Sequence, residues 1–128
     1  MAKAKKKILI TEDEQSISNV LRNKLERYGF EVILASTGEE SLNKTKAMKP
    51  DLVLLDLIMP HKDGFQVLEE MKKDKDMKKI DVIVFSNLGQ EADMKRTKEM
   101  GASDYIIKSN MSISEVVEKI NKVLGSRV

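Results

Sequence analysis

Short apolar runs at 8–11, 30–35, 52–55, 82–85 and 105–107 alternate along the chain with stretches whose apolar residues recur at helical spacing. Runs this short and this rich in Ile, Val and Leu read as strands buried on both faces. Between the first two runs, Ile17, Val20, Leu21 and Leu25 share one helical face, and Gly29 after Tyr28 is a natural terminator. Thr37 and Glu40 have the spacing of a capping box for a helix ending near Met48, before Pro50. Phe65, Val67, Leu68 and Met71 mark a third helix from near Asp63, and Met94, Thr97 and Met100 a fourth that stops at Gly101. Ser112 and Glu115 head a last helix with Val116, Val117, Ile120, Val123 and Leu124 along its apolar face.

Strict alternation of strand and helix calls for a parallel sheet covered on both faces and joined by right-handed crossovers. The 128 residues have the size of one domain. The pattern therefore predicts an α/β fold, a flavodoxin-like (βα)5 doubly wound five-stranded parallel sheet of order 2-1-3-4-5, with residues 1–128 as a single domain and the Gly-Ser-Arg-Val tail as a frayed end. In that order the topological switch point lies between the first and third strands, where ligands of such sheets bind.

Composition narrows the function classes. With 23 basic and 21 acidic residues the charge is nearly balanced, which gives little reason to expect nucleic-acid binding, and three Phe, two Tyr and no Trp leave few side chains for stacking on bases. The basic clusters Lys3, Lys5, Lys6, Lys7 and Lys72, Lys73, Lys75, Lys78, Lys79 read as solvated surface, the first also discouraging edge pairing. The absence of Cys excludes disulfides and thiol chemistry and fits a reducing cytoplasm. No apolar run approaches the roughly 18 residues of a membrane span, so no membrane partner is expected. His61 reads as a solvated loop residue, and Met48, Met71, Met94 and Met100 as core filler.

The chemistry sits at the strand ends. Glu12 and Asp13 close the first run, Asp56 the third, Ser86 the fourth and Lys108 the fifth. Three carboxylates in one crevice repel one another, at about 4 kcal/mol per pair for a separation near 4 Å and an effective dielectric near 20. A hard divalent cation with oxygen ligands relieves this, and Mg²⁺ fits best because it combines a few carboxylates with water and phosphate oxygens. Neither Cys nor a His pair favours Zn²⁺. With Lys108 as a second positive charge and Ser86 as a hydroxyl donor, the set suits phosphoryl transfer with Asp56 as nucleophile.

Taken together, the segments 8–14, 51–64, 82–86 and 101–108 resemble the receiver domains of two-component response regulators across essentially the whole chain, most of all the stand-alone kind without an output domain. The resemblance implies that Asp56 accepts a phosphoryl group from a histidine kinase or phosphotransfer protein. It implies a Mg²⁺ held by Glu12, Asp13, Asp56 and the backbone carbonyl of Ile58, and phosphoryl oxygens bound by Ser86 and Lys108. Tyr105 matches the aromatic that changes rotamer as Ser86 is drawn inward. The chain is then a signalling switch rather than an enzyme, assisting its own phosphorylation and dephosphorylation. It would act as a monomer or weak dimer and report to a downstream protein through the face formed by the fourth helix, fifth strand and fifth helix, from Leu88 to Leu124.

Two positions depart from that family. Ser109 follows Lys108 where a cis Pro is common, which predicts a trans peptide and a differently shaped loop. Asn87 follows Ser86 where small residues are frequent, which predicts an altered lifetime of the phosphorylated state. The alternatives are an inactive receiver acting only as a protein-binding module and an aspartyl phosphatase. The retained site residues oppose the first. Against the second stands Ile58, which occupies the position two beyond Asp56 where such an enzyme needs another acid. No P-loop or G-x-G-x-x-G points to nucleotide binding.

Overall fold

The computed structural model describes residues 5–88 and 91–125; Lys3 of the first basic cluster and 126–128 of the tail lie outside them. The order is β1 (Lys7–Thr11), α1 (Gln15–Arg27), β2 (Glu31–Ala35), α2 (Gly38–Met48), β3 (Leu52–Leu55), α3 (Gly64–Lys73), β4 (Asp81–Ser86), α4 (Glu91–Glu99), β5 (Asp104–Ile107) and α5 (Ile113–Gly125). All strand pairs are parallel and the order is β2-β1-β3-β4-β5, as the alternating pattern predicts. A single 3₁₀ turn, Lys108–Asn110, follows β5.

Side chains alternate across the sheet with the strand period of two and divide the core into two layers. Ile8, Ile10, Leu52, Leu54, Ile83 and Phe85 meet Leu21 and Leu25 of α1 and Val116 and Ile120 of α5. Leu9, Val53, Leu55 and Val82 face the other way, towards Leu42 of α2 and Val67, Leu68 and Met71 of α3. β3 is buried along its whole length, so each of its four side chains contributes about 1.5–3 kcal/mol of transfer free energy.

Several helix ends differ from expectation in detail. Thr37 caps α2 by accepting from Glu40 N–H, but the Glu40 carboxylate turns to Ser36 rather than back to Thr37, so only half of the box forms. The complete box is at α3, where Asp63 and Gln66 exchange side-chain and backbone bonds. Met71 is core, whereas Met48 is 40% exposed and Met94 and Met100 are half-buried. β1 is flanked by β2 and β3, so Lys7 guards no sheet edge. Lys72 is not solvated surface either: its Nζ donates to the carbonyls of Lys78 and Ile80, each at 3.1 Å, and burial lowers its pKa. Among the described residues no helix is long and apolar enough to cross a membrane.

Candidate functional site

The register of β1, β3, β4 and β5 builds the site. Thr11 pairs with Leu55, Leu55 with Val84, and Ser86 with Ile107, so the next residues of β1, β3 and β5 emerge side by side at the C-terminal edge. Backbone bonds continue the ladders one step further: Glu12 N–H donates to Ala35 O at 3.0 Å and Asp56 N–H to Thr11 O at 3.1 Å. Each carboxylate thus leaves a rigid strand end. One oxygen each from Glu12, Asp13 and Asp56 falls within 4.8 Å of the others, with Glu12 and Asp56 buried and Asp13 exposed. Asp13 does not cap α1, whose N-cap is Glu14 without a side-chain bond, so its carboxylate is available to the cluster.

Lys108 supplies the balancing charge. Its Nζ lies 2.8 Å from Asp56 Oδ2, forms an ion pair with Glu12 Oε2, and stands 5.3 Å from the centroid of the Phe85 ring. The other oxygens accept backbone bonds, Asp56 Oδ1 from Ile58 N–H at 3.1 Å and Glu12 Oε1 from Glu14 N–H at 3.1 Å. Burial raises the Glu12 pKa, against the pull of Lys108. Burial also acts to lower Lys108, but Asp56 and Glu12 outweigh it and raise its pKa, so the ammonium stays charged. Described peptide bonds include none in cis; with Ser109 after it, the chain passes directly from β5 into the 3₁₀ turn, and Lys108 still reaches both acids.

Ser86 is fully buried at the end of β4, and its Oγ accepts from Leu88 N–H at 3.4 Å. The Tyr105 hydroxyl donates to Leu88 O. Both predicted switch residues therefore hold one backbone position of the loop after β4. Burial raises the Tyr105 pKa, with Asp93 and Asp56 adding to the effect, so the phenol remains a donor. Asn87 and His61 are exposed, and Ile58 enters the site through its backbone while its side chain is 58% exposed.

Two contributors lay beyond the sequence reading. Leu88 acts only through its main chain and leaves no residue-type signal. Gly64 packs so closely on the acceptor loop that a Cβ would sit 2.2 Å from Asp56 O; the Asp-Gly pair was visible, but the close approach was not.

Oxygen donors of this kind, clustered without Cys or His, match the ligand preference of Mg²⁺. The family model of the response regulator receiver domain matches residues 8–121. The chain is 40% identical over 120 residues to "Probable transcriptional regulator ycf27" of Guillardia theta, covering 94% of this chain and 46% of that protein, so it spans about half of that relative's length. It is 34% identical to Protein PilH of Pseudomonas aeruginosa, covering 93% and 98% of the two chains. The receiver domain of the Francisella response regulator 1452 superposes with a TM-score of 0.87 at 25% identity, covering 96% of this chain and 99% of that one.

Proposed function

Because the chain belongs to the response regulator receiver domain family of two-component signalling, we propose that it is a Mg²⁺-dependent switch whose phosphoryl acceptor is Asp56. The observation that supports this most is the buried Asp56 carboxylate, hydrogen-bonded at one oxygen by Ile58 N–H and at the other by Lys108, with two further acids within reach. Glu12, Asp13, Asp56 and the Ile58 carbonyl would hold the metal. When bound, Mg²⁺ would neutralise the carboxylates and the phosphoryl oxygens.

In the proposed reaction an Asp56 oxygen attacks the phosphorus of a phosphohistidine on a histidine kinase or phosphotransfer protein. The P–N bond breaks, the imidazole nitrogen keeps the electron pair and takes up a proton, and an acyl phosphate forms. Lys108 and Ser86 then bind the phosphoryl oxygens by charge and hydroxyl donation. Attack of water on the same phosphorus breaks the bond to Asp56 and releases inorganic phosphate, so the chain ends unchanged and acts as a signal carrier.

Drawing Ser86 towards the phosphoryl group costs Leu88 one of its two anchors, and Tyr105 loses the fixed position of the other. The loop shift changes the populations of two packings of the α4-β5-α5 face, which a downstream protein reads. On that face a cleft of about 300 Å³ lies between α4 and β5, lined by Met94, Thr97, Ala102 and Tyr105. A cytoplasmic setting fits the absence of Cys.

Intact mass after incubation with Mg²⁺ and a small phosphodonor tests the proposal. The wild type should gain one phosphoryl group and Asp56→Asn none. No gain by the wild type would favour a module that only binds protein; sustained hydrolysis of unrelated phosphate esters would favour a phosphatase.

A further inference from the structure

The loop from Leu57 to Asp63 carries the Ile58 backbone to the mouth of the site. Its ends are anchored, Leu57 O by Gly64 N–H at 3.0 Å and Asp63 by the capping box of α3. Between them the chain reverses through His61 at φ +68°, a left-handed conformation disfavoured for residues with a Cβ. Lys62, the next residue, contacts two helices. Its Nζ lies 3.1 Å from a Glu39 oxygen in the first turn of α2 and contacts Glu70 of α3 as well. Its main chain lies against Gly38, the first residue of α2, where a Cβ would sit 2.6 Å from Lys62 O and 3.0 Å from Lys62 Cβ. The Lys62 side chain is 23% exposed against 68% for Glu39, so the lysine is the better fixed of that pair.

We propose that Lys62 is a positioning residue for the metal site: by clamping the loop to α2 and α3 it sets the Ile58 backbone relative to the Asp56 carboxylate. This rests on the reading of Glu12, Asp13, Asp56 and Ile58 as the Mg²⁺ ligands. Only three residues separate Ile58 from Lys62. Of these Met59 is buried and Pro60 has its φ locked, so a displacement at Lys62 reaches Ile58 with little slack. Releasing the clamp widens the range of loop conformations, and Mg²⁺ binding must then order the loop as well as fill the site.

The test is a titration of the full chain with Mg²⁺ alone, followed by backbone amide NMR shifts, for wild type, Lys62→Met, Lys62→Arg and Gly38→Ala. Lys62→Met should weaken Mg²⁺ binding about three- to tenfold, at or below the range typical of groups that orient metal ligands because here the link runs through backbone. Lys62→Arg should restore it. Gly38→Ala, which pushes the same loop from the α2 side, should weaken it while every charge is retained. With a phosphodonor the loss should appear as a higher Mg²⁺ requirement, with the rate at saturating Mg²⁺ unchanged. The melting temperature of Lys62→Met should barely move, since exposed ion pairs contribute little to stability. Wild-type affinity in Lys62→Met overturns the inference, as does a loss shared by Lys62→Arg and matched by a large fall in melting temperature. Absence of Mg²⁺ binding by the wild type overturns the proposed function and this inference with it.

Discussion

Among the described residues Lys108 is the cation paired with both buried carboxylates, Glu12 and Asp56, with its own side chain 10% exposed. Removing one partner from such a group leaves the others buried and uncompensated, at a cost of about 3–5 kcal/mol. Glu12 can relieve part of that cost by holding its proton, since burial already raises its pKa. Lys108→Met should therefore lower stability by about 3 kcal/mol in Mg²⁺-free buffer, and added Mg²⁺ should recover part of the loss; urea denaturation under both conditions checks this. Because the folded-state pKa of Lys108 is raised, its contribution is fully present at neutral pH and disappears only as pH rises above the ordinary lysine range. At this scale Glu12, Asp13, Asp56, Ser86 and Lys108 were legible because each follows or ends an apolar run. Leu88 was not, since a backbone carbonyl has no residue type, and Lys62 was not, since its partners lie on two other elements.

The helix ends show how local signals are shared out once neighbours compete for them. Thr37 and Glu40 have capping-box spacing, yet the Glu40 carboxylate accepts from Ser36 N–H at 2.6 Å and Ser36 Oγ at 3.2 Å and pairs with Lys44 at 3.2 Å. The Ser36 N–H bond is the main reason that the Glu40 pKa is lowered. A lowered carboxylate pKa contributes stability above the ordinary glutamate range and loses it as pH falls through the folded-state value. Glu40→Gln should accordingly flatten the acid limb of the stability profile below about pH 5, by a small amount because the side chain is 38% exposed. Urea midpoints of both proteins across that range measure it, and parallel acid limbs would count against the assignment. α4 was the least legible helix: Thr97 is its one buried side chain among the described residues, and its hydroxyl turns back to Asp93 O and Met94 O. The capping box at α3 was legible in principle from Asp63 and Gln66, but Gly64 at the first helical position obscured it.

At the scale of the whole molecule the sheet separates two apolar layers that share strands but not side chains. Leu25 of α1 and Leu68 of α3 are fully buried in opposite layers. Leu25→Ala and Leu68→Ala should each cost about 2–5 kcal/mol, and the double variant should lose the sum within about 0.5 kcal/mol; a clear departure from additivity would mean that the layers are coupled through the sheet. The alternation of apolar runs with helical stretches determined by itself the α/β class and the parallel sheet, and the order 2-1-3-4-5 followed from the flavodoxin-like fold that five such units suggest. Period and burial are local properties, and right-handed crossovers leave few ways to join such elements. It also determined which residue types stand at the strand ends. Tertiary structure decided how they meet: that Lys108 reaches Glu12 and Asp56 together from a loop without Pro, that Ser86 and Tyr105 hold the same Leu88 backbone, and that Lys62 joins the acceptor loop to α2 and α3. Apart from the short step from Ser86 to Leu88, these contacts join residues on different elements. Strand register and the close approach of backbones set such contacts, and neither is written in the spacing of any one segment.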